Sequence, residues 1–482
     1  MNRPPGQSRA ASATEIGQPP VPVLLPERQR EFAVEVVKKL RAAGFTAYWA
    51  GGCVRDRLLG ACPKDYDVAT DATPEQIRQV FGRRRSIGVG AAFGVMAVLG
   101  GRGAGQIEVA TFRSDAAYSD GRHPDSVTFA SDREDALRRD FTINGLFYDP
   151  LADRVIDYVG GREDLEKRIV RAIGDPHARF AEDKLRLLRA VRFAATLDFQ
   201  LDADTLAAIA SLAADITLVS AERIAQEMRL MLVHEQRVRA LRLLRQTGLL
   251  EEVLPEAAAL PGGHRKAPSA HFDHAEDDDP WGRTLRVLGK LDRPSFAVAL
   301  AALLHVAADS EDAQLSTPET DAAGAPTDPS AVAKSVGARW KLPNKEIDRV
   351  AWLLTHLPTI AEARQAAWPR LQRILISPGI EELLTLAAAV VAAQGGDAEN
   401  VSHCRELLAL PVEQLDPPDL LDGNDLIDHG VPRGKLYSQL LRRVRDAQLE
   451  GHIQTKQDAL RYVDRLLEDR AGDTPPPLTG DA

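Results

Sequence analysis

Residues 51 to 67 read Gly51-Gly52-Cys53-Val54-Arg55-Asp56-Arg57-Leu58-Leu59-Gly60-Ala61-Cys62-Pro63-Lys64-Asp65-Tyr66-Asp67, and the reading of the N-terminal fold turns on them. The glycine pair interrupts an apolar run, Phe45 to Ala50, that predicts a strand. Cys53 to Leu59 has helical spacing and stops at Gly60, and Asp65 to Thr70 predicts a second strand. Glycines between a strand and a helix let backbone N–H groups approach a phosphate closely. Arg55, one turn into that helix, can reach the same anion. Asp65 and Asp67, two apart on a strand, leave the same face of a sheet. Two such carboxylates repel unless a divalent cation lies between them. Mg²⁺ fits, because it takes oxygens from one or two carboxylates and fills its remaining positions with substrate phosphates and water. In phosphoryl transfer such an ion neutralises the phosphates and lowers the pKa of an attacking hydroxyl. Either piece alone reads as a tight turn or a solvated strand end; together, with Arg55 between them, they point to a nucleotide site.

Working outward, Phe32, Val36, Val37 and Leu40 recur at helical spacing before Gly44, which stands where a helix C-cap would. Thr73-Pro74-Glu75-Gln76 is a capping box opening a helix to about Phe81. Phe93 to Leu99 and Gln106 to Arg113 predict a hairpin across Gly100 to Gly105. Glu108 on that hairpin alternates with Ile107 and Val109, so it sits either at an open sheet edge or beside a cation. If its strand neighbours the Asp-x-Asp strand, Glu108 becomes a third metal-facing acid. Asp140, in Arg138-Arg139-Asp140-Phe141-Thr142-Ile143-Asn144, is a rival for that role, the alternative being a surface ion pair on a helix. After Asp132 the strand signal fades apart from Val155 to Val159 and Ile169 to Ile173. Helical stripes then dominate, as at Leu185, Leu188, Val191 and Ala195.

The cluster Glu182-Asp183-Lys184-Leu185-Arg186-Leu187-Leu188-Arg189-Ala190-Val191-Arg192 reads as one helix. Steps of three turn by about −60°, so Asp183, Arg186 and Arg189 share an arc of roughly 120°, with Arg192 further round. An acceptor and a fork of donors on one face can pair with the edge of a base. The plainer alternative is a surface helix laced with Asp–Arg ion pairs.

The whole chain has 482 residues, enough for several domains, and its 44% hydrophobic and 27% charged residues are those of an ordinary soluble protein. No run reaches the ~18 uncharged apolar residues of a membrane span, and Leu384 to Ala393 is far too short. Met1 to Pro20 has no apolar segment like that of a secretory signal and reads as a disordered tail of a cytoplasmic protein. Cys53, Cys62 and Cys404 have neither even number nor C-x-x-C spacing, so reduced thiols are expected. A net charge of −10 argues against bulk coating of nucleic acid but leaves room for a local basic groove.

In order along the chain, Gly-Gly-x-Val-Arg-Asp, Asp-x-Asp, Glu108-Val109-Ala110-Thr111-Phe112-Arg113, Arg-Arg-Asp-Phe-Thr-Ile-Asn and Glu-Asp-x-x-Arg-x-x-Arg-x-x-Arg resemble the bacterial class II CCA-adding tRNA nucleotidyltransferases and their poly(A) polymerase relatives. The match runs from about Phe45 to Gly248. The resemblance implies an α+β protein: a polymerase-β-like head with a small mixed sheet, followed by all-α neck, body and tail domains. It implies that Gly51, Gly52 and Arg55 contact the triphosphate, that Asp65 and Asp67 hold Mg²⁺, and that Arg138 or Arg139 supports the nucleotide. Asp183 and Arg186 would read the base, with Arg189 and Arg192 nearby, and Glu108 or Asp140 would be the third catalytic carboxylate. The implied partners are tRNA, CTP and ATP, the implied state is a monomer or homodimer, and no membrane is involved. Ser119-Asp120-Gly121-Arg122-His123-Pro124 resembles the family's flexible element, with His123 where Arg is usual.

The expected organisation is a disordered tail over 1–25, a nucleotidyltransferase head over 26–150 and a helical neck over 151–260. A helical body over 261–410 resembles a degenerate HD-type phosphohydrolase domain with mobile inserts at 262–280 and 309–330. A helical tRNA-binding segment covers 411–470 and a disordered tail 471–482. His305 is followed by Val306 and no His-Asp dipeptide occurs in the chain, so a phosphohydrolase is not expected. His264, His271 and His274 read as loop histidines and His305 as a core one. The expected activity is addition of CCA to the 3′ end of tRNA. Poly(A) polymerase or A-only addition is the rival on the same scaffold, and a non-catalytic RNA-binding protein is the rival from another class.

Overall fold

The computed structural model describes residues 25–90, 94–115, 127–262, 279–309 and 329–472. The Ser119 to Pro124 element, most of both expected inserts, nearly all of the two tails, and His264, His271 and His274 lie outside the described residues. The chain divides into two compact units. The first runs to Arg186 and includes Gln200–Ala208; the second holds Leu187–Phe199 and everything from Ile209.

In the first unit, helix α1 (Pro26–Ala42) leads to β1 (Ala47–Ala50), α2 (Gly52–Leu58), β2 (Asp67–Thr70) and α3 (Pro74–Phe81). Next come β3 (Ser86–Gly90), β4 (Val95–Leu99), β5 (Gln106–Thr111), β6 (Arg113–Asp115) and β7 (Val127–Phe129). Helix α4 (Asp132–Leu137), β8 (Phe147–Asp149), β9 (Arg154–Ile156) and helix α5 (Gly161–Lys167) follow. Seven of these strands form one mixed sheet in the order β3-β4-β5-β2-β1-β8-β9, while β6 and β7 pair separately. Only the β2–β5 pair is parallel; the other neighbours are antiparallel.

The strand alternation explains the layering. Trp49, Val68, Met96, Val98, Ile107 and Val109 are all buried and share one face by register. Helix α1 packs on β1, β2 and β5 with Phe32, Val36, Val37 and Leu40 buried, as their spacing predicts. The opposite face carries Tyr48, Ala50, Asp67, Ala69, Glu108 and Ala110 by the same register. At one end of it Ala50, Ala69, Phe112 and Phe147 close over Ala136 of α4 in a small apolar cluster.

The expected capping box at Thr73 and Gln76 is present. Strands β3 and β8 escape the sequence reading, because β3 is glycine-rich and the Phe147, Tyr148 and Asp149 of β8 are all buried without alternation. Two expectations need correction. The strand starts at Asp67, so Asp65 precedes it rather than sharing it. Helix α6 (Pro176–Glu182) ends before Asp183, and α7 (Arg186–Thr196) begins after it, so Asp183 is not on one helix with Arg186. The Asp183 carboxylate accepts the N–H of Leu185 at 3.1 Å and its carbonyl accepts that of Arg186, which is the local bonding by which Asp interrupts a helix and starts the next.

The second unit is helical. Its segments include Ala221–Leu232, Phe296–Asp309, Asn344–Ala361 and Ile380–Gln394, and the C-terminal helices Leu436–Leu449 and Lys456–Gly472 share a core with Leu421, Leu426 and Val431. No single helix among the described residues is long and apolar enough to cross a membrane. His305 is buried, with Nδ1 2.7 Å from the Ala302 carbonyl, as expected of a core histidine.

Candidate active site

The carboxylates meet where the parallel strands pair. Asp67, first residue of β2, is directly opposite Glu108 of β5, so the two project from the same sheet face as lateral neighbours. Ile107 and Val109 are buried against the core, which leaves Glu108 no choice of face. Asp67 reaches solvent on its outer side while protein crowds it from behind. Loss of hydration, then the nearby Glu108, push its carboxyl up to about 6; Arg139 opposes the shift and Asp65 adds to it. Two acids thus act on a third here, with the Arg139 guanidinium as counterweight. That excess of negative charge suits a divalent cation. Among the described residues no three His, Cys, Asp or Glu side chains enclose a metal by themselves. Asp65, Asp67 and Glu108 could supply part of an oxygen shell, with substrate phosphates supplying the rest.

Arg139 is delivered to this face by α4. Ser131 and Glu134 form a reciprocal capping box that fixes the start of the helix. Asp135, 2% exposed at its side chain, then binds Arg138 at 2.5 Å and Arg139 at 3.0 Å, three and four residues on. Burial acts against the Asp135 charge, but the two guanidiniums outweigh it and hold its pKa below the usual carboxylate value. Arg139 also lies 4.9 Å over the Phe147 ring and donates to the Asn144 carbonyl at 3.2 Å.

Gly51 caps α2 with φ +71°, a conformation that favours glycine, and a Cβ there would stand 3.1 Å from Nη1 of Arg139. Gly52 opens the helix. Arg55 donates to the Asn144 side-chain oxygen at 2.7 Å and pairs with Asp56 at 2.7 Å. Asn144 in turn donates to Asp140 at 3.1 Å, and Asp140 also accepts the Phe141 N–H at 2.8 Å. Asp140 is buried rather than on a surface helix, and its carboxylate organises the loop that holds Arg55.

Arg186 is buried. It donates to Glu182 at 2.7 Å and to the carbonyls of Arg179 and Arg138 at 2.9 and 3.3 Å. Arg189 and Arg192 belong to the second unit, where buried Glu227 binds Arg192 at 2.5 Å and stands 4.0 Å from Arg189. The first unit therefore brings together Gly51, Gly52, Arg55, Asp65, Asp67, Glu108, Arg138, Arg139 and Asp140. Asp135, Asn144 and Glu182 do work the sequence reading missed. The signal was there for two of them: Asp135 precedes the arginines by three and four residues, and Glu182 precedes Arg186 by four.

The poly(A) polymerase head domain model matches residues 47–171, and the model of the RNA- and SrmB-binding site of polymerase A matches 198–260. The model of tRNA nucleotidyltransferase domain 2 matches 327–463. The chain is 32% identical to the CCA-adding enzyme of Geobacillus stearothermophilus over 434 residues, covering 89% of this chain and 95% of that one. It belongs to the bacterial CCA-adding enzyme and poly(A) polymerase family. Poly(A) polymerase I of Haemophilus influenzae is 40% identical over 257 residues, covering 51% of this chain and 53% of that one. Among solved structures, the Bacillus stearothermophilus CCA-adding enzyme in complex with CTP superposes with TM-score 0.68 at 28% identity, over 92% of this chain and 99% of that one. Family membership makes the chain a nucleotidyltransferase, and the superfamily generally uses a divalent metal.

Proposed function

We propose that this enzyme adds C, C and A to the 3′ end of tRNA from CTP and ATP without a nucleic-acid template. The observation that carries the reading is the pairing of Asp67 with Glu108 on one sheet face, beside Asp65 and backed by Arg139. RNA binding alone gives no reason to gather carboxylates that repel both one another and a phosphate backbone. CCA addition is favoured over poly(A) synthesis because the CCA-adding relative matches along nearly its whole length, whereas the match to the poly(A) polymerase spans about half of each chain.

In this reading Asp65 and Asp67 hold Mg²⁺, which when bound supplies charge neutralisation at the phosphates and a more acidic 3′-hydroxyl. Gly51, Gly52 and Arg55 take the triphosphate, and Arg138 and Arg139, clamped by Asp135, support the nucleotide. Glu108 is the third carboxylate and faces the attacking hydroxyl, whereas Asp140 positions Arg55 through Asn144. Asp183 and Arg186 select the base, with Glu182 fixing the guanidinium. The tRNA 3′-oxygen forms a bond to the α-phosphorus in line, the bond to the bridging oxygen breaks, and pyrophosphate leaves. CTP, ATP and tRNA are solutes of the cytoplasm, where we place the enzyme, as a monomer or homodimer.

The test separates chemistry from binding. Asp67→Ala and Glu108→Gln should each lower the rate of addition at least about a hundredfold with the fold and RNA affinity preserved. Asp140→Asn should instead raise KM for the triphosphates with a smaller loss of kcat. Addition by Asp67→Ala within about tenfold of the unmodified enzyme, with Mg²⁺ supplied, contradicts the metal assignment.

A further inference from the structure

Among the described residues the sheet ends, past Glu108, at the edge strand β3, which the reaction as described leaves unused. Glu108 is opposite Ala97 on β4, and Ala97 is opposite Ile87 on β3. Asp67, Glu108, Ala97 and Ile87 therefore form one lateral row on one face, and Ile87 lies ~14 Å from Asp67, three strand spacings of ~4.8 Å. Ala97 is buried, but Ile87 is 52% exposed and Val89 61% exposed. The register slips between Gly88 and Gly90, so Val89 sits in a bulge. Bulges recur beside active sites, where they re-aim a side chain. Arg83 and Arg84, immediately before β3, are exposed and have no ion pair or side-chain hydrogen bond among the described residues, whereas Arg85 donates to the Leu99 carbonyl. The edge thus sets two exposed apolar side chains beside two cations that have no partner among the described residues.

The direction of the reaction says what belongs there. In-line displacement places the attacking oxygen opposite the leaving pyrophosphate. Gly51, Gly52 and Arg55 follow β1, on one side of Asp67 in the sheet order; Glu108, β4 and β3 lie on the other. A triphosphate seated by the glycines leaves toward β1, so the strand bearing the 3′-hydroxyl must arrive across β5, β4 and β3. Resting on the proposed reaction, we infer that the β3 edge seats the 3′-terminal nucleotides of the RNA being extended. Ile87 and Val89 contact ribose and base faces, and Arg83 and Arg84 contact the phosphates between them. This seat is sequence-tolerant, because an apolar contact accepts any base, and it positions an end whose length grows by one nucleotide at each addition.

The test uses the full-length protein with a labelled tRNA ending before CCA with a free 3′-hydroxyl, measured by fluorescence anisotropy over a range of salt, and by extension kinetics. Arg83→Ala/Arg84→Ala should weaken RNA binding and flatten the dependence of log affinity on log salt by about 1.4, two phosphate contacts at ~0.7 each for a single strand. Ile87→Ser/Val89→Ser should raise the RNA Kd and the KM for RNA about fivefold without altering the salt dependence, while KM for CTP and ATP stays within about twofold. Unchanged RNA affinity in both double variants overturns the inference, and unchanged affinity with an altered oligomeric state assigns the edge to a second copy of the chain. If the unmodified protein extends no RNA yet tRNA binding still responds as stated, the seat stands and the reaction assignment falls.

Discussion

Asp67 is the side chain on which the proposed chemistry bears most. Its carboxyl is pushed up to about 6 by lost hydration and by Glu108, against the pull of Arg139. An acid whose pKa is higher folded than unfolded binds its proton more tightly in the native state. The stability it lends is full below the unfolded value near 4 and is lost as pH rises through about 6. Without metal, Asp67→Asn should therefore melt a few degrees higher than the unmodified protein at pH 7.5 and about equally at pH 4, by differential scanning calorimetry. Added Mg²⁺ should narrow the neutral-pH gap by stabilising only the unmodified protein. At this scale the sequence picked out the two aspartates, Glu108 and the glycines as candidates, because each is a residue type out of keeping with its local pattern. What it could not show was that Asp65 stands outside the strand, or that Asp140 turns inward to Asn144, since both depend on backbone paths set by tertiary packing.

Among elements, α4 matters out of proportion to its six residues. It packs Ala136 on the carboxylate-bearing face and uses buried Asp135 to aim Arg138 and Arg139. Removing one partner of a buried ion pair costs ~3–5 kcal/mol, so Asp135→Ala should lower stability by about that much and raise KM for both triphosphates. The Asp135 pKa is depressed, so its stabilisation is present above the ordinary carboxylate range and lost as pH falls through its lower native value. The acid limb of the unfolding curve should accordingly flatten in Asp135→Asn. The interruption between α6 and α7 was hidden from helical periodicity, because the apolar stripe runs on through Leu185 and Leu188 while Asp183 bonds its own backbone neighbours. If Arg186, braced by Glu182, reads the base, Arg186→Ala should lose ~1–3 kcal/mol of discrimination among CTP, ATP, GTP and UTP, read as ratios of kcat/KM. A variant that is slow but equally selective would make Arg186 a structural brace.

Across the whole molecule, the compact unit that contains the sheet carries the carboxylates proposed for the chemistry, and the helical unit holds Arg189 and Arg192, which Glu227 faces, and the C-terminal core. The division into an α/β head followed by helices was legible from the loss of alternation after Asp132. The finer partition of the helical half was not, because helical stripes repeat without a chemical landmark to anchor them. The claim that joins all scales is that one site adds C, C and then A to tRNA. The most direct measurement offers the purified enzyme three RNAs, a tRNA ending before CCA, the same tRNA ending in CC, and a single strand without an acceptor stem, each with labelled CTP or ATP alone. The account predicts two C additions to the first RNA from CTP and one A addition to the second from ATP, with neither on the third. Long A tracts on the unstructured strand, or no incorporation of C into any of the three, would contradict it.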